Sequence, residues 1–171
     1  SEKTEGVAPG AQASLVFKTA ADPFVGKLSY FRVYGATFKG DSQLWNSKRN
    51  EPERIGQVFQ PRGKEQQPLQ EVITGDIGVV SRLSRTQTFD TLCDKAHPVV
   101  LPGAELPEPV YGLAVTPKNQ VDLDKMANAL ARLEEEDPTL HVERNADTKE
   151  TVIWGLGDIH VETAVERIRR K

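Results

Sequence analysis

Hydrophobic and polar residues alternate in short runs along the first hundred residues, and no apolar set there recurs at helical spacing. Turn-forming groups separate the runs, among them Asp22-Pro23, Glu51-Pro52, Pro61-Arg62-Gly63 and Gly75-Asp76. The alternation predicts strands at 14–19, 27–34, 43–46, 55–60, 69–73 and 77–83. Short strands at such intervals are typical of a small all-β barrel.

The periodicity changes after a proline-rich stretch at residues 98–109. Alternation predicts a strand at 111–115, a second near 140–143 and a third ending at Trp154. Helical spacing of apolar residues predicts one helix at about 121–136, before Asp137-Pro138, and another after residue 157. The order strand, helix, strand, strand, helix is a ferredoxin-like α+β pattern whose final strand is missing. We therefore expect a mixed fold with two domains, residues 1–104 and 105–171.

One segment, residues 155–162 with the sequence Gly-Leu-Gly-Asp-Ile-His-Val-Glu, marks the end of a strand, a glycine turn and the start of the last helix. Asp158 and Glu162 place negative charge near the positive end of that helix. Asp158, His160 and Glu162 carry groups that ligate metals, but residues two apart on a helix point in different directions and do not converge on one ion. We therefore interpret His160 as a structural histidine and expect no metal site.

The candidate chemistry of the chain is sparse. No phosphate-binding loop of the form G-x-x-x-x-G-K-[ST] occurs, so we expect neither nucleotide hydrolysis nor a catalytic residue in this chain. The single cysteine, Cys93, has no partner for an internal disulfide, which favours a reducing compartment and hence the cytoplasm. No apolar run reaches the roughly 18–20 residues that span a bilayer.

The net charge of −3 divides unevenly between the halves. Residues 1–104 hold 13 Lys and Arg against 11 Asp and Glu, and the remainder holds 9 against 14. The basic residues that lie in or beside predicted loops are either solvated or in contact with RNA phosphates: Lys48, Arg49, Arg54, Arg62 and Lys64. We expect the aromatic residues of the first strands to fill the barrel core instead of stacking on bases: Phe17, Phe24, Tyr30, Phe31 and Tyr34.

The run Glu134-Glu135-Glu136-Asp137 ends the first predicted helix, where the helix dipole disfavours acidic side chains. Either the run is a solvated helix end or it forms a docking patch for another protein. We favour the solvated helix end, because charge runs usually lie on solvated faces.

Several segments resemble known sequences in a consistent order. Residues 16–18, 22–28 and 31–34, followed by Glu53-Arg54-Ile55-Gly56, Gly75-Asp76-Ile77 and Asp90-Thr91-Leu92, resemble the second domain of elongation factor G. Residues 107–109, 136–139 and the segment 155–162 resemble its third domain. The chain departs from the family at 88–92, where Thr-Phe-Asp-Thr-Leu stands in place of the usual T-G-D-T-L, and Arg62-Gly63-Lys64 is more similar to divergent elongation-factor-G-like proteins.

This resemblance implies a fragment of a translational GTPase that contains a barrel of the translation-factor domain II type and most of domain III. It implies that GTP and Mg²⁺ bind in a domain absent from this chain, and that no cofactor binds here. The implied partner is the ribosome, through small-subunit rRNA and protein, with no DNA or membrane partner. Leu156, Ile159 and His160 match positions that in the family face the GTP-binding domain and the fusidic acid pocket.

The sequence leaves the cellular role open between translocation, ribosome recycling and a specialised task. A ribosome-protection protein of the tetracycline-resistance type and an independent RNA-binding barrel are alternatives. The missing final strand predicts an exposed sheet edge, so the fragment would be a monomer or a dimer paired through that edge.

Overall fold

The computed structural model describes residues 4–62, 65–104, 106–148 and 150–170, with backbone alone at positions 62, 65 and 120. The chain forms two compact units, residues 1–104 and 105–171, referred to as unit 1 and unit 2. Neither helix of the described residues is long and apolar enough to cross a membrane.

Unit 1 is built from short antiparallel strands. Eight of them form one sheet in the order β5-β4-β10-β1-β2-β9-β6-β7, and β3 pairs with β8. The strands are β1 Ala13–Asp22, β2 Gly26–Val33, β3 Phe38–Lys39, β4 Gln43–Asn46, β5 Glu51–Arg54, β6 Val58–Arg62, β7 Glu65–Leu69, β8 Glu71–Val72, β9 Ile77–Ser81 and β10 Thr91–Cys93.

A large apolar cluster fills the interior of unit 1. Val16, Phe31, Val58, Val80 and Leu92, from five different strands, are fully buried and pack in this cluster. The Phe31 ring also stacks on Phe38, with ring centroids 4.0 Å apart. Because strands from across the sheet contribute to one core, the sheet curls around it, which confirms the predicted β-barrel type of fold.

The strand boundaries differ from the prediction at two prolines. Pro52 lies inside β5 and Pro61 inside β6, where turns were predicted. β5 is an edge strand of the sheet, and the part of β6 that contains Pro61 pairs with β7 alone. Proline is tolerated at such positions because its missing N–H does not interrupt a central ladder. Strands β3, β5 and β10 were not predicted, and β7 overlaps the predicted strand at 69–73 in one residue only. Runs of two to four residues show too little periodicity to be recognised.

The expectation that all five aromatic residues fill the core is wrong for Phe24 and only partly met by Phe17. The Phe24 side chain is 90% exposed at the turn between β1 and β2. The Asp22 carboxylate accepts hydrogen bonds from the N–H groups of Phe24 and Val25, at 2.8 and 2.9 Å, and so fixes a tight turn that holds Phe24 outside the sheet. Phe17 lies at a bulge in β1, between the paired residues Val16 and Lys18, and is partly exposed.

Unit 2 has the predicted order of strands and helices. Its elements are β11 Tyr111–Val115, α1 Gln120–Glu136, β12 His141–Arg144, β13 Thr151–Gly155 and α2 Asp158–Arg169. The strands form an antiparallel sheet in the order β11-β13-β12, which confirms the ferredoxin-like βαββα prediction. Within the described residues β11 pairs with β13 alone, and whether a second molecule pairs with its open edge stays a prediction.

Both helices of unit 2 pack on one face of the sheet. Leu130 of α1, Val161 and Val165 of α2 and Ile153 of β13 belong to one buried cluster. α1 begins where the Asn119 side chain accepts a hydrogen bond from the N–H of Asp122, and it ends at Asp137. The packed helices fix the direction in which segment 155–162 leaves the sheet.

Candidate functional site

The structure places the predicted basic residues of unit 1 at the ends of strands. Lys48 and Arg49 lie in the turn between β4 and β5, and Arg54 is the last residue of β5. Arg62 is the last residue of β6, but its side chain lies outside the described part of the chain, as does the whole of Lys64. Contact of these residues with RNA stays a prediction.

Arg49 is bound within unit 1 by a buried carboxylate. Its Nε lies 2.6 Å from Asp90 Oδ2, and its terminal nitrogen donates to Gln87 Oε1 at 2.7 Å. Asp90 also accepts from the Asn46 side-chain amide and the Gln87 N–H, at 3.0 Å each. Lys48 Nζ is 4.0 Å from the same carboxylate. Arg49 therefore holds the β4–β5 turn against the loop before β10, and much of its charge is neutralised internally.

Arg54 differs from Arg49 because its side chain is exposed and has no hydrogen bond or ion pair with the described residues. It lines a cavity of about 410 Å³ in unit 1, together with Arg82 of the segment that follows β9. Two guanidinium groups at one cavity can bind an anion such as a phosphate. Of the predicted basic residues whose side chains are described, Arg54 is the best placed for an external ligand.

The wall of this cavity next to Arg54 contains Glu53, a buried residue whose structural role the sequence patterns do not reveal. The Glu53 side chain is 1% exposed, and its carboxylate accepts five hydrogen bonds of 2.9–3.0 Å from the backbone N–H groups of Ser84, Arg85 and Thr86 and from the hydroxyls of Ser84 and Thr86. Burial opposes ionisation, but these hydrogen bonds outweigh it and hold the pKa of Glu53 below its usual range. The charge therefore fixes residues 84–86 in place.

In unit 2, His160 links the end of α1 to the glycine turn before α2. The Leu156 N–H donates to His160 Nδ1 at 3.0 Å, so the ring proton lies on Nε2, which donates to Asp137 Oδ2 at 2.8 Å. Burial raises the pKa of Asp137, but hydrogen bonds from His160 and Thr139 lower it more. The carboxylate therefore stays ionised at a lower pH than an unperturbed aspartate does. The interpretation of His160 as a structural histidine agrees with these contacts.

Gly155 makes this arrangement possible. A Cβ atom at this position would lie 2.7 Å from Val161 Cγ2 and 2.8 Å from His160 Nδ1. A larger residue would push the His160 ring away from the Leu156 N–H. The close approach, and not a special backbone angle, explains the glycine.

Two apolar side chains flank the histidine on the outside of unit 2. Ile159 is 76% exposed and Leu156 is 39% exposed, although both lie next to a well-packed helix start. Exposed apolar residues on a rigid turn are suited to packing against another protein surface. Among the described residues no group of three or more His, Cys, Asp and Glu side chains is arranged to hold a metal ion.

The acidic run at the end of α1 is bound within unit 2. Glu134 accepts a hydrogen bond from the Val142 N–H at 2.6 Å, Glu136 pairs with Arg167 at 3.0 Å, and Asp137 accepts from His160. These donors explain why acidic residues are tolerated at an unfavourable end of the helix dipole.

The comparisons with known proteins match both units. Residues 12–95 match the family model described as "Elongation factor G domain 2", and residues 106–171 match the one described as "Elongation Factor G, domain III". A crystal structure of a protein from Thermus thermophilus superimposes with a TM-score of 0.80 at 31% identity over 98% of this chain. This chain covers 25% of the length of that protein. By both of its domains, in the same order, the chain belongs to the elongation factor G family.

Proposed function

We propose that this chain supplies the domain 2 and domain III portions of a translational GTPase that acts on the ribosome in protein synthesis, in GTP-dependent translocation or recycling. The observation that carries the proposal is the succession of the two matched domains along one chain. GTP and Mg²⁺ would bind in another domain, since no phosphate-binding loop occurs in this sequence. The site of action would be the cytoplasm.

In this proposal unit 1 contributes the contact with small-subunit rRNA. Its exposed basic side chains, Arg54 first and Lys48 second, are available for phosphates. Arg62 and Lys64, whose side chains lie outside the described part of the chain, would add to them. Leu156 and Ile159 of unit 2 would pack against the GTP-binding domain, so that nucleotide state shifts the balance between two domain arrangements.

The test is a binding measurement between this chain and purified small ribosomal subunits over a series of salt concentrations. We expect binding that weakens as salt rises, and a variant with Arg62→Glu and Lys64→Glu that binds more weakly with a shallower salt dependence. The control with the same change in charge is Arg32→Glu combined with Lys39→Glu, at exposed positions of β2 and β3, and it should bind nearly as the unchanged chain does. Absence of binding at low salt, or equal losses in both variants, would contradict the proposed contact.

A further inference from the structure

The cavity beside Arg54 has the size of a small-molecule site. Its volume is about 410 Å³, and binding pockets for small molecules range from about 300 to 1,000 Å³. Its walls come from the β1–β2 turn, the end of β5 with the residues that follow it, and the end of β9. The lining residues are Val25, Glu53, Arg54, Gly56, Gln57, Ser81, Arg82 and Ser84.

Arg82 is held in an unusual conformation at the edge of this cavity. Its φ angle is +59°, in the left-handed region that arginine rarely adopts. Its backbone N–H donates to the Lys27 carbonyl at 2.9 Å, and its Nε donates to the Val25 carbonyl at 3.3 Å. These bonds tie the arginine to the β1–β2 turn and leave its two terminal nitrogens free of hydrogen bonds with the described residues.

The charge around the cavity favours an anionic ligand. Arg54 and Arg82 are both exposed, and Glu53 is the single acidic side chain among the described lining residues. The five donors bound to Glu53 come from the loop at 84–86, and the carboxylate itself is buried. An incoming anion would therefore approach the two guanidinium groups, while the Glu53 charge stays balanced by the donors of residues 84–86.

An exposed aromatic residue belongs to the same turn as the lining residue Val25. Phe24 directly precedes the lining residue Val25, and the Asp22 carboxylate holds the turn that presents it to solvent. Arg82 is tied to this turn through the Val25 carbonyl. Proteins bind a base and its phosphate by combining arginine side chains with an exposed aromatic ring, on which the face of any base can stack. No core contact explains the position of Phe24.

We propose that this cavity binds a nucleoside monophosphate unit, either free or at the end of a single-stranded RNA, with the phosphate on Arg54 and Arg82 and the base against Phe24 and Val25. This inference rests on unit 1 alone and goes beyond the ribosome contact proposed above. Failure of the chain to bind ribosomal subunits would leave it standing.

The test is a calorimetric titration of the 171-residue chain with AMP, adenosine, inorganic phosphate and a 5′-phosphorylated triadenylate, with backbone amide NMR shifts at Val25, Gly56 and Ser81 to locate the site. We expect saturable AMP binding, with adenosine and phosphate each at least about tenfold weaker, because each lacks half of the contacts. Tighter binding of the triadenylate would identify an RNA end as the ligand, and equal binding would identify the free nucleotide.

Variants distinguish binding in the cavity from nonspecific attraction of the ligand to positive charge. Arg54→Gln, Arg82→Asn and Phe24→Ala should each weaken AMP binding by about tenfold, whereas Arg32→Gln, an equal loss of charge on β2, should leave the affinity within about twofold. Asparagine tolerates the left-handed conformation, so Arg82→Asn removes the guanidinium without new strain.

Three results would overturn the assignment. The first is the absence of saturable AMP binding up to about 1 mM. The second is binding of phosphate or adenosine as tight as that of AMP, and the third is an equal effect of Arg54→Gln and Arg32→Gln. Because Arg54 is exposed and unpaired among the described residues, its substitution tests the site without dependence on folding.

Discussion

Replacement of Glu53 by glutamine should strongly destabilise unit 1, because this carboxylate is buried and bound by five donors. Two donors point at Oε1 and three at Oε2. In the better orientation of the amide its NH₂ group replaces Oε1, which leaves the Ser84 N–H without an acceptor. An orphaned buried donor costs about 1–3 kcal/mol.

The three bonds that remain would also weaken. Hydrogen bonds to a charged group are worth about 1 kcal/mol more than those between neutral groups. Relief from burying a charge offsets part of this loss. We therefore expect the free energy of unfolding of unit 1 to fall by about 2–4 kcal/mol.

Urea unfolding followed by tryptophan fluorescence measures this loss. The chain has two tryptophans, Trp45 in unit 1 and Trp154 in unit 2, so a Trp154→Phe background makes the signal specific for unit 1. Glu51→Gln is the matched control on the same strand. The partly exposed Glu51 carboxylate pairs with the largely exposed Arg85 at 3.2 Å, and its replacement should change stability by less than about 1 kcal/mol.

The pH dependence provides a second check. The pKa of Glu53 is lowered in the folded state, so its contribution to stability is complete above the unfolded pKa, about 4.3, and is lost as pH falls through the folded pKa. The difference between the unchanged chain and Glu53→Gln should be largest at neutral pH and shrink in acid. A loss below about 1 kcal/mol at pH 7, or a difference that persists in acid, would refute the reasoning.

Two further predictions concern unit 2. Asp137→Asn and His160→Ala should each lower its stability by about 1–2 kcal/mol, and a double-mutant cycle by urea unfolding should show coupling above about 0.5 kcal/mol, whereas additive losses would contradict the pairing. Because folding lowers the pKa of Asp137, the stability that the pair contributes should be lost as pH falls from the unfolded value of about 3.9 through the folded pKa. Ile153→Ala should cost about 2–5 kcal/mol in the same assay, because the side chain is fully buried, whereas the exposed Val121→Ala should cost less than about 0.5 kcal/mol, and similar losses would contradict the assigned core.

The features that the sequence predicted well are those governed by local spacing. The first helix was expected at 121–136 and spans Gln120–Glu136, because its apolar stripe is continuous and Asp137-Pro138 ends it. The ferredoxin-like order followed from similar local signals. Gly155, Gly157 and Asp158 likewise placed the start of α2 close to its observed position.

The features that could not be predicted depend on contacts between distant residues. The partners of Glu53 lie 31–33 residues away, and Arg49 pairs with Asp90 across 41 residues, so no periodicity reveals either bond. Phe24 is exposed because an aspartate fixes a turn, whereas composition favours aromatic residues in the core. The tolerance of Pro52 depends on β5 being an edge strand, which the sequence does not show.

The pairing of β1 with both β2 and β10 has a consequence for synthesis of the chain. β10 follows the end of β1 by about 70 residues. At a translation rate of about 5–20 residues per second, roughly 4–14 s pass between the synthesis of β1 and that of β10. During that interval the hairpin of β1 and β2 must persist with the edge of β1 unpaired, and the nascent barrel is exposed to wrong pairing. Unit 2 closes its sheet over a much shorter stretch of chain, so its folding during translation should lag its synthesis far less.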